Sequence, residues 1–305
     1  MKFLLISLLT WGVAFSAPAL AVDPWQYKLD FGYGTRTDNV NLAIDGLLTA
    51  PLAGETTKLT MQDVDIHELR LGYRFVGDHG WYVKGYYDQG WVYSGQAQHT
   101  SASNASPGDL WSRLEHGSVR GSTRDSSFAI GHQWRWQEQV AITPLVGYSS
   151  HAQNLRLPNA NQTLCQEAGS QVCMLNQGES VDDIGYWQSQ FNGPWIGLDA
   201  RLNSGNITFL LEWEQHLAHY NASLDWQGNQ ELSNIDPITQ SGDGSGERFG
   251  IGISYWLSDS YLNLHYNTMQ MKIKNGQHSI SNQAQNILEG NWRSQVFSIS
   301  YTSMF

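Results

Sequence analysis

The chain has 305 residues and a formal net charge of -11 at pH 7, with 17 Lys and Arg against 28 Asp and Glu. That balance excludes nucleic acid as an expected partner, because affinity for a phosphate backbone comes from basic patches. After the first 21 residues there is no run of eighteen apolar residues, which excludes a helical membrane protein, and the composition is instead rich in Trp (13), Tyr (14) and Gly (30).

The first segment, MKFLLISLLTWGVAFSAPALA, carries one lysine, an apolar stretch from Phe3 to Leu9 and the small-residue pattern Ala19-Leu20-Ala21. It reads as a secretory signal peptide over residues 1–21, cleaved after Ala21, and residues 22–305 read as one exported domain. From there on, period two dominates and period 3.6 is absent. Apolar or aromatic residues fill alternate positions in ten runs, over residues 25–36, 62–76, 80–95, 124–136, 139–157, 186–202, 205–226, 245–258, 260–274 and 292–305. Most are long for soluble strands, and several exceed the roughly ten residues that a tilted strand needs to cross a bilayer.

The connections alternate in length. VGDHG, WQEQ, LNSGN and LSDSY join runs two to three, four to five, six to seven and eight to nine, while the other five connections are polar and run from about 16 to about 28 residues. An even strand count, with short turns on one side and long loops on the other, predicts a ten-stranded antiparallel transmembrane β-barrel. Its short turns face the periplasm, its long loops face outside, and its place is the outer membrane of a Gram-negative bacterium. In VFSISYTSMF, Phe297, Ile299, Tyr301 and Phe305 would face lipid, and Ser298, Ser300 and Thr302 the lumen. Closure of this last strand matters because an open edge in hydrocarbon leaves backbone groups unpaired. In RFGIGISYWL and NITFLLEWEQH the same rule turns Phe249, Ile251, Ile253, Tyr255, Ile207, Phe209, Leu211 and Trp213 outward. Trp81, Trp91, Trp134, Trp136, Trp195 and Trp256 fall near run ends, where interfacial girdles belong.

Cys165 and Cys173 are the two cysteines, with seven residues between them. In an exported protein they predict a disulfide pinning one loop; a metal site would need more ligands than the single Glu167 nearby. The positions predicted to face inward carry Glu68, Arg70, Arg74, Lys84, Asp88, Arg135, Asp199, Arg201, Glu212, Glu214, His216, Arg248 and His265. In a narrow lumen such charges pair, since a lone desolvated charge costs several kcal/mol, and ten strands enclose far less than a sixteen-stranded porin. A cross-braced interior is expected ahead of an open channel.

YVKGYYDQGWVYSG (Tyr82 to Gly95), VGYSSHAQNLRL (Val146 to Leu157) and NGPWIGLDARL (Asn192 to Leu202) resemble the Protochlamydia outer membrane protein family. That resemblance implies a porin-like barrel. The layout also resembles the omptin proteases, which implies endopeptidase activity from a pair of aspartates at the outer rim of the third strand and an Asp-x-His at the rim of the seventh. Here the third run reads Asp88-Gln89-Gly90-Trp91 with one aspartate. The seventh reads His216-Leu217-Ala218-His219 onward to Asp225 without Asp-x-His. The site is not matched, so no enzyme is expected. A terminal Phe305 on a closing strand also resembles the signal read by barrel-assembly machinery.

Other constellations are weaker. His216 and His219, three apart on a strand, face opposite sides and cannot share a metal. GDGSGE (242–247) enters a strand and lacks the helix N-terminus that holds phosphate. No cofactor is expected. The acidic outer loops, Glu167, Glu179, Asp182 and Asp183 in one and Glu231 and Asp236 in another, are read as solubilising, beside outer-membrane lipid and lipopolysaccharide as the expected surroundings. The expectation is a porin-like or structural surface barrel without a catalytic site, with a diverged omptin-like endopeptidase or a surface adhesin as the alternatives.

Overall fold

A computed structural model describes residues 26–45, 55–103, 110–137, 139–166, 173, 175–182, 185–226, 238–280 and 283–304. The expected leader, Phe305, Glu167, Asp183, Glu231 and Asp236 lie outside these residues. The strands are β1 Gln26–Asp45, β2 Glu55–Val76, β3 Trp81–Ser103, β4 Leu110–His116, β5 Arg120–His132, β6 Trp134–Trp136 and β7 Val140–Leu157. They continue as β8 Ala160–Cys165, β9 Ser180–Val181, β10 Gly185–Ser204, β11 Ile207–Trp226, β12 Ile238–Trp256, β13 Ser260–Ile280 and β14 Gln283–Met304.

Among the described residues, ten of these form an antiparallel ring in the order β2-β1-β14-β13-β12-β11-β10-β7-β5-β3, and β3 pairs back onto β2. The ring joins its two ends of chain where β14 runs against β1 from Lys28↔Met304 to Ile44↔Ile287. Backbone groups in the bilayer are therefore paired all round, which is the condition for a sheet to survive in hydrocarbon. Short turns close one end: a single 3-10 turn at Asp78–Gly80, the β6 hairpin, Gly205-Asn206 and 257–259. Gly205 takes φ +58 there, a conformation that side-chain-bearing residues rarely adopt.

The ten runs read from the sequence all correspond to ring strands, but seven of the strands reach beyond their expected outer ends. β1 continues to Asp45, β2 begins at Glu55, β3 ends at Ser103, β5 begins at Arg120, β12 begins at Ile238, and β13 and β14 are separated by only residues 281–282. Much of what reads as long polar loop is thus a continuation of the barrel wall. At the outer rim β3 leaves β5 after Val92↔Gly121 and pairs with β4 from Ala97↔His116. β8 and β9 add to β4, giving a small outer sheet.

The wall has two zones. Towards the short turns, Leu29, Phe31 and Tyr33 of β1, Leu69 and Leu71 of β2, Phe249, Ile251 and Ile253 of β12, and Phe297, Ile299 and Tyr301 of β14 are exposed on the outer face. This is the lipid belt, about 25 Å tall in such barrels. Trp81, Trp134, Trp136 and Trp256 ring its lower margin, and Trp91, Tyr93 and Trp213 its upper one, all exposed. Trp195, expected in a girdle, is instead 2 % exposed and points into the lumen, where its indole donates to Ser127 (3.2 Å). It sits one position off the outward parity of Ile196 and Leu198, and parity outranks proximity to a run end.

Above the belt the polarity reverses. Leu42, Ile44, Met61, Val64, Ile66, Leu155, Leu157, Trp187, Phe191, Tyr220, Leu224, Met271, Ile287 and Trp292 form one buried cluster inside the barrel. Asn154, Gln188, Gln190, Asn221, Thr239 and Lys272 face out. Phe191 stacks on Trp292 at 5.7 Å and tilts against Tyr220 at 4.8 Å. The outer half is packed as a water-soluble barrel is, with the hydrophobic effect acting inward.

Candidate functional site

Inside the belt and up to the apolar core, the inward positions carry charge in three tiers. The uppermost is organised by Arg36, whose Nε and Nη2 donate to the two oxygens of Asp38 (both 2.7 Å). Its Nη1 donates to Asp125 and to Glu68 (3.5 Å). Asp125 also meets His151 Nδ1 at 3.2 Å, and Gln153 donates to Asp38 at 2.6 Å. The Arg36 guanidinium lies 5.4 Å from the Trp292 ring, so this tier abuts the apolar core directly.

The middle tier holds two clusters. Arg70 clamps both oxygens of Asp88 (2.7 and 2.5 Å) and lies over Tyr86. Lys84 donates to Asp199 (2.9 Å), Glu212 (3.3 Å) and Glu214 (3.4 Å), and Arg248 donates to Glu214 (2.7 Å), Glu212 (3.3 Å) and Asn267 (2.9 Å). His265 meets Glu212 at 3.3 Å, and His216 meets Glu214 at 3.2 Å. Charge-assisted bonds of this kind are shorter and stronger than neutral ones, and Lys84 and Arg248 each hold more than one carboxylate on other strands. Lys84 on β3 reaches Asp199 on β10 and both glutamates on β11, so it braces the lumen across its width.

The lowest tier faces the short turns. Arg74 pairs with Asp30 (3.3 Å), which also accepts from Thr302. Arg201 donates to Tyr82 (2.5 Å), and Arg135 donates through Nε to Gln133 (2.7 Å). Neither enters an ion pair among the described residues. Arg135 is exposed at the mouth and stands apart from the braced tiers above.

Sequence reasoning missed Lys28, Asp30, Arg36, Asp38, Asp125 and His151. The signal was available for most of them. In the first run Tyr27, Leu29, Phe31 and Tyr33 face out, and the same parity sends Lys28, Asp30 and Arg36 inward; Phe128 and Ile130 do likewise for Asp125. Asp38 was out of reach because that run was ended at residue 36.

The arrangement resembles catalytic geometry in one place: Ser149 Oγ lies 3.1 Å from His216 Nδ1, and His216 Nε2 lies 3.2 Å from Glu214. Ser149 is 2 % exposed, His216 1 % and Glu214 1 %, and Arg248 holds the glutamate from its other side. No substrate bond can reach such a serine. Glu68, Asp88 and Asp125 bring carboxylate oxygens within 4.8 Å of one another, a spacing open to a cation. Arg36 and Arg70 already supply positive charge there. Asp88 is not at the outer rim but locked in the lumen, and His219 is exposed on the outer face beside Asp243 (3.2 Å), so His216 and His219 do lie on opposite sides. Cys165 and Cys173 are joined in a disulfide on the outer sheet.

The Protochlamydia outer membrane protein family model matches residues 28–305. The chain belongs to that family. It is an outer-membrane β-barrel protein of the Gram-negative type. No curated protein matches by sequence. Among solved structures, the chain is similar to the outer membrane protease OmpT from Escherichia coli, with 10% identity over 92% of this chain and 97% of that one and a TM-score of 0.71. The outer membrane protein OprG from Pseudomonas aeruginosa gives 12% identity over 92% and 96%, with a TM-score of 0.33. The Pseudomonas putida toluene transporter TodX gives 9% over 93% and 91%, with a TM-score of 0.34. The likeness to OmpT is one of fold.

Proposed function

We propose that this family member is a sealed, structural surface barrel, in which wall and interior together form a rigid body and no continuous solute path runs through it. The observation that carries this is the double filling of the lumen. Two tiers of buried ion pairs span the membrane zone, and the apolar cluster from Leu42 to Trp292 fills the zone above. An ion crossing would have to break pairs whose loss costs about 3–5 kcal/mol each, and then enter a dry apolar core. The reading is non-enzymatic: Asp88 is held by Arg70, and Ser149 and His216 are shut from solvent.

The test is a planar-bilayer recording of refolded protein whose insertion is verified independently. Absence of discrete conductance steps at up to about 100 mV is expected. Steps whose size or selectivity changes when Arg70 or Glu212 is neutralised would establish a pore and overturn the reading. Turnover of basic peptides by refolded protein with lipopolysaccharide, lost in Asp88→Ala or His219→Ala, would overturn its non-enzymatic part.

A further inference from the structure

The charged lumen side chains balance as a set but not by level. Among the described residues, eight cations (Lys28, Arg36, Arg70, Arg74, Lys84, Arg135, Arg201, Arg248) face eight carboxylates (Asp30, Asp38, Glu68, Asp88, Asp125, Asp199, Glu212, Glu214). Seven of the carboxylates lie in the upper two tiers with four of the cations. The remaining four cations share the short-turn end with Asp30 alone. They line a cavity of about 280 Å³ that opens at that end, together with Gln133 and Tyr261.

We propose that this cavity is a binding site for a small phosphate-type dianion entering from the periplasm. Asp30 is engaged by Arg74 and Thr302, and no carboxylate of the described residues lies within 4 Å of Lys28, Arg135 or Arg201. Their remaining contacts are weak or neutral. Lys28 Nζ sits 4.7 Å from the centre of the Tyr261 ring, Arg135 bonds Gln133, and Arg201 bonds Tyr82 while its Nε is buried without a partner. Lys28 and Arg201 are half-buried and Arg135 stands exposed at the mouth; gathering like charges at one opening without a counter-ion is unfavourable, and one anion with several acceptor oxygens can meet all three. Arginine forks match the oxygens of phosphate and carboxylate in pairs, with lysine adding a point charge. Donors converging from β1, β2, β6 and β10 suit a tetrahedral oxyanion better than a planar carboxylate. Inward of it, a second and smaller cavity shares Arg74, Leu210, Ser254 and Asn263 with this one and reaches the Lys84 and Arg248 cluster. The inference is independent of whether the barrel conducts.

The experiment uses the refolded chain in uncharged detergent, titrated calorimetrically with inorganic phosphate at pH 7 and constant ionic strength, with chloride as the comparison. Saturable binding near one phosphate per barrel is expected, at least tenfold weaker in Arg201→Gln and in Lys28→Met. Because Lys28→Met removes a repelling charge, it is also expected to raise the unfolding temperature in phosphate-free buffer while abolishing the rise that phosphate gives the unsubstituted protein. Lys272→Gln, on the outer wall, leaves both readings unchanged. No saturable binding, phosphate binding no tighter than chloride, or binding indifferent to both inner substitutions would overturn the proposal. Binding of a short-chain phosphatidic acid without binding of inorganic phosphate would also overturn it, by assigning the site to a lipid headgroup.

Discussion

On β13, Leu262, Leu264 and Tyr266 face lipid, and three residues later Met269 and Met271 are buried in the core, with Ile273 packed against it. The strand has not slipped: its register with β14 is continuous from Ser260↔Ser303 to Ile273↔Gly290. What changes is the parity of the apolar residues. The same reversal separates Tyr33 from Leu42 on β1, Trp213 from Tyr220 on β11 and Ile196 from Phe191 on β10. The lower barrel is apolar outside and ionic inside; the upper barrel is polar outside and apolar inside. A strand offers two faces whatever surrounds it, and the medium beyond the wall decides which must be apolar. The comparison teaches that this protein is held together by different forces at its two ends: lipid contact and ion pairs below, exclusion of water from a packed core above.

The sharpest way to break that division is to place a charge in the upper core. Leu155→Asp buries a carboxylate at a position with no exposure, and a loss of about 5 kcal/mol or more is expected. It should be read as protease cleavage of the outer half while the belt stays protected. Next in size is Lys84→Met, which strands Asp199 and two glutamates that share Arg248. About 3–5 kcal/mol should be lost, seen as a fall in the urea midpoint, with cleavage near the periplasmic turns rather than the outer rim.

A matched pair then tests the reversal itself. Ile251→Arg on the belt of β12 should cost about 2–4 kcal/mol, whereas Ser241→Arg, outward on the same strand above the membrane, should stay within about 0.5 kcal/mol. Equal costs for the two would show that no boundary lies between them. The smallest effect concerns the outer sheet, where His99 Nδ1 and His116 Nε2 lie 2.7 Å apart. Burial pushes His116 down to about 4. The unfolded imidazole takes up its proton near pH 6.5, so stability is full above that value and declines as pH falls towards 4. Amide protection factors, taken relative to the intrinsic rate at each pH, should fall on β4 and β8 at pH 5 compared with pH 7.5 and stay unchanged on β12 and β14; a uniform fall would refute a local origin.

Much of the belt was legible because one rule held along most of it: Phe297-Ser298-Ile299-Ser300-Tyr301 can face only two ways, and lipid requires the aromatic flank, with Trp195 and the small cluster of Val76, Tyr82, Ala129 and Leu145 as the inward exceptions. The same parity is what puts Glu68 to Arg248 on the expected inward side, and Arg135 among them is exposed at the mouth. The upper wall was not legible by that rule. Gln277, Ser279 and Gln285 read as loop because a template with apolar residues outward finds nothing there, although Met269, Met271 and Ile287 already carried the inverted pattern.

Alternation, turn spacing and charge placement are local properties, and from them the chain's own residues determined the ten strands, their order and the two faces of the wall along the belt. The height at which water replaces lipid, the partners of each charge across the lumen and the gathering of four cations at one mouth were decided only by closure of the ring. Residues such as Lys84 and Glu214 are 130 positions apart in the chain, and no local pattern encodes a distance that exists only once the first and last strands have met.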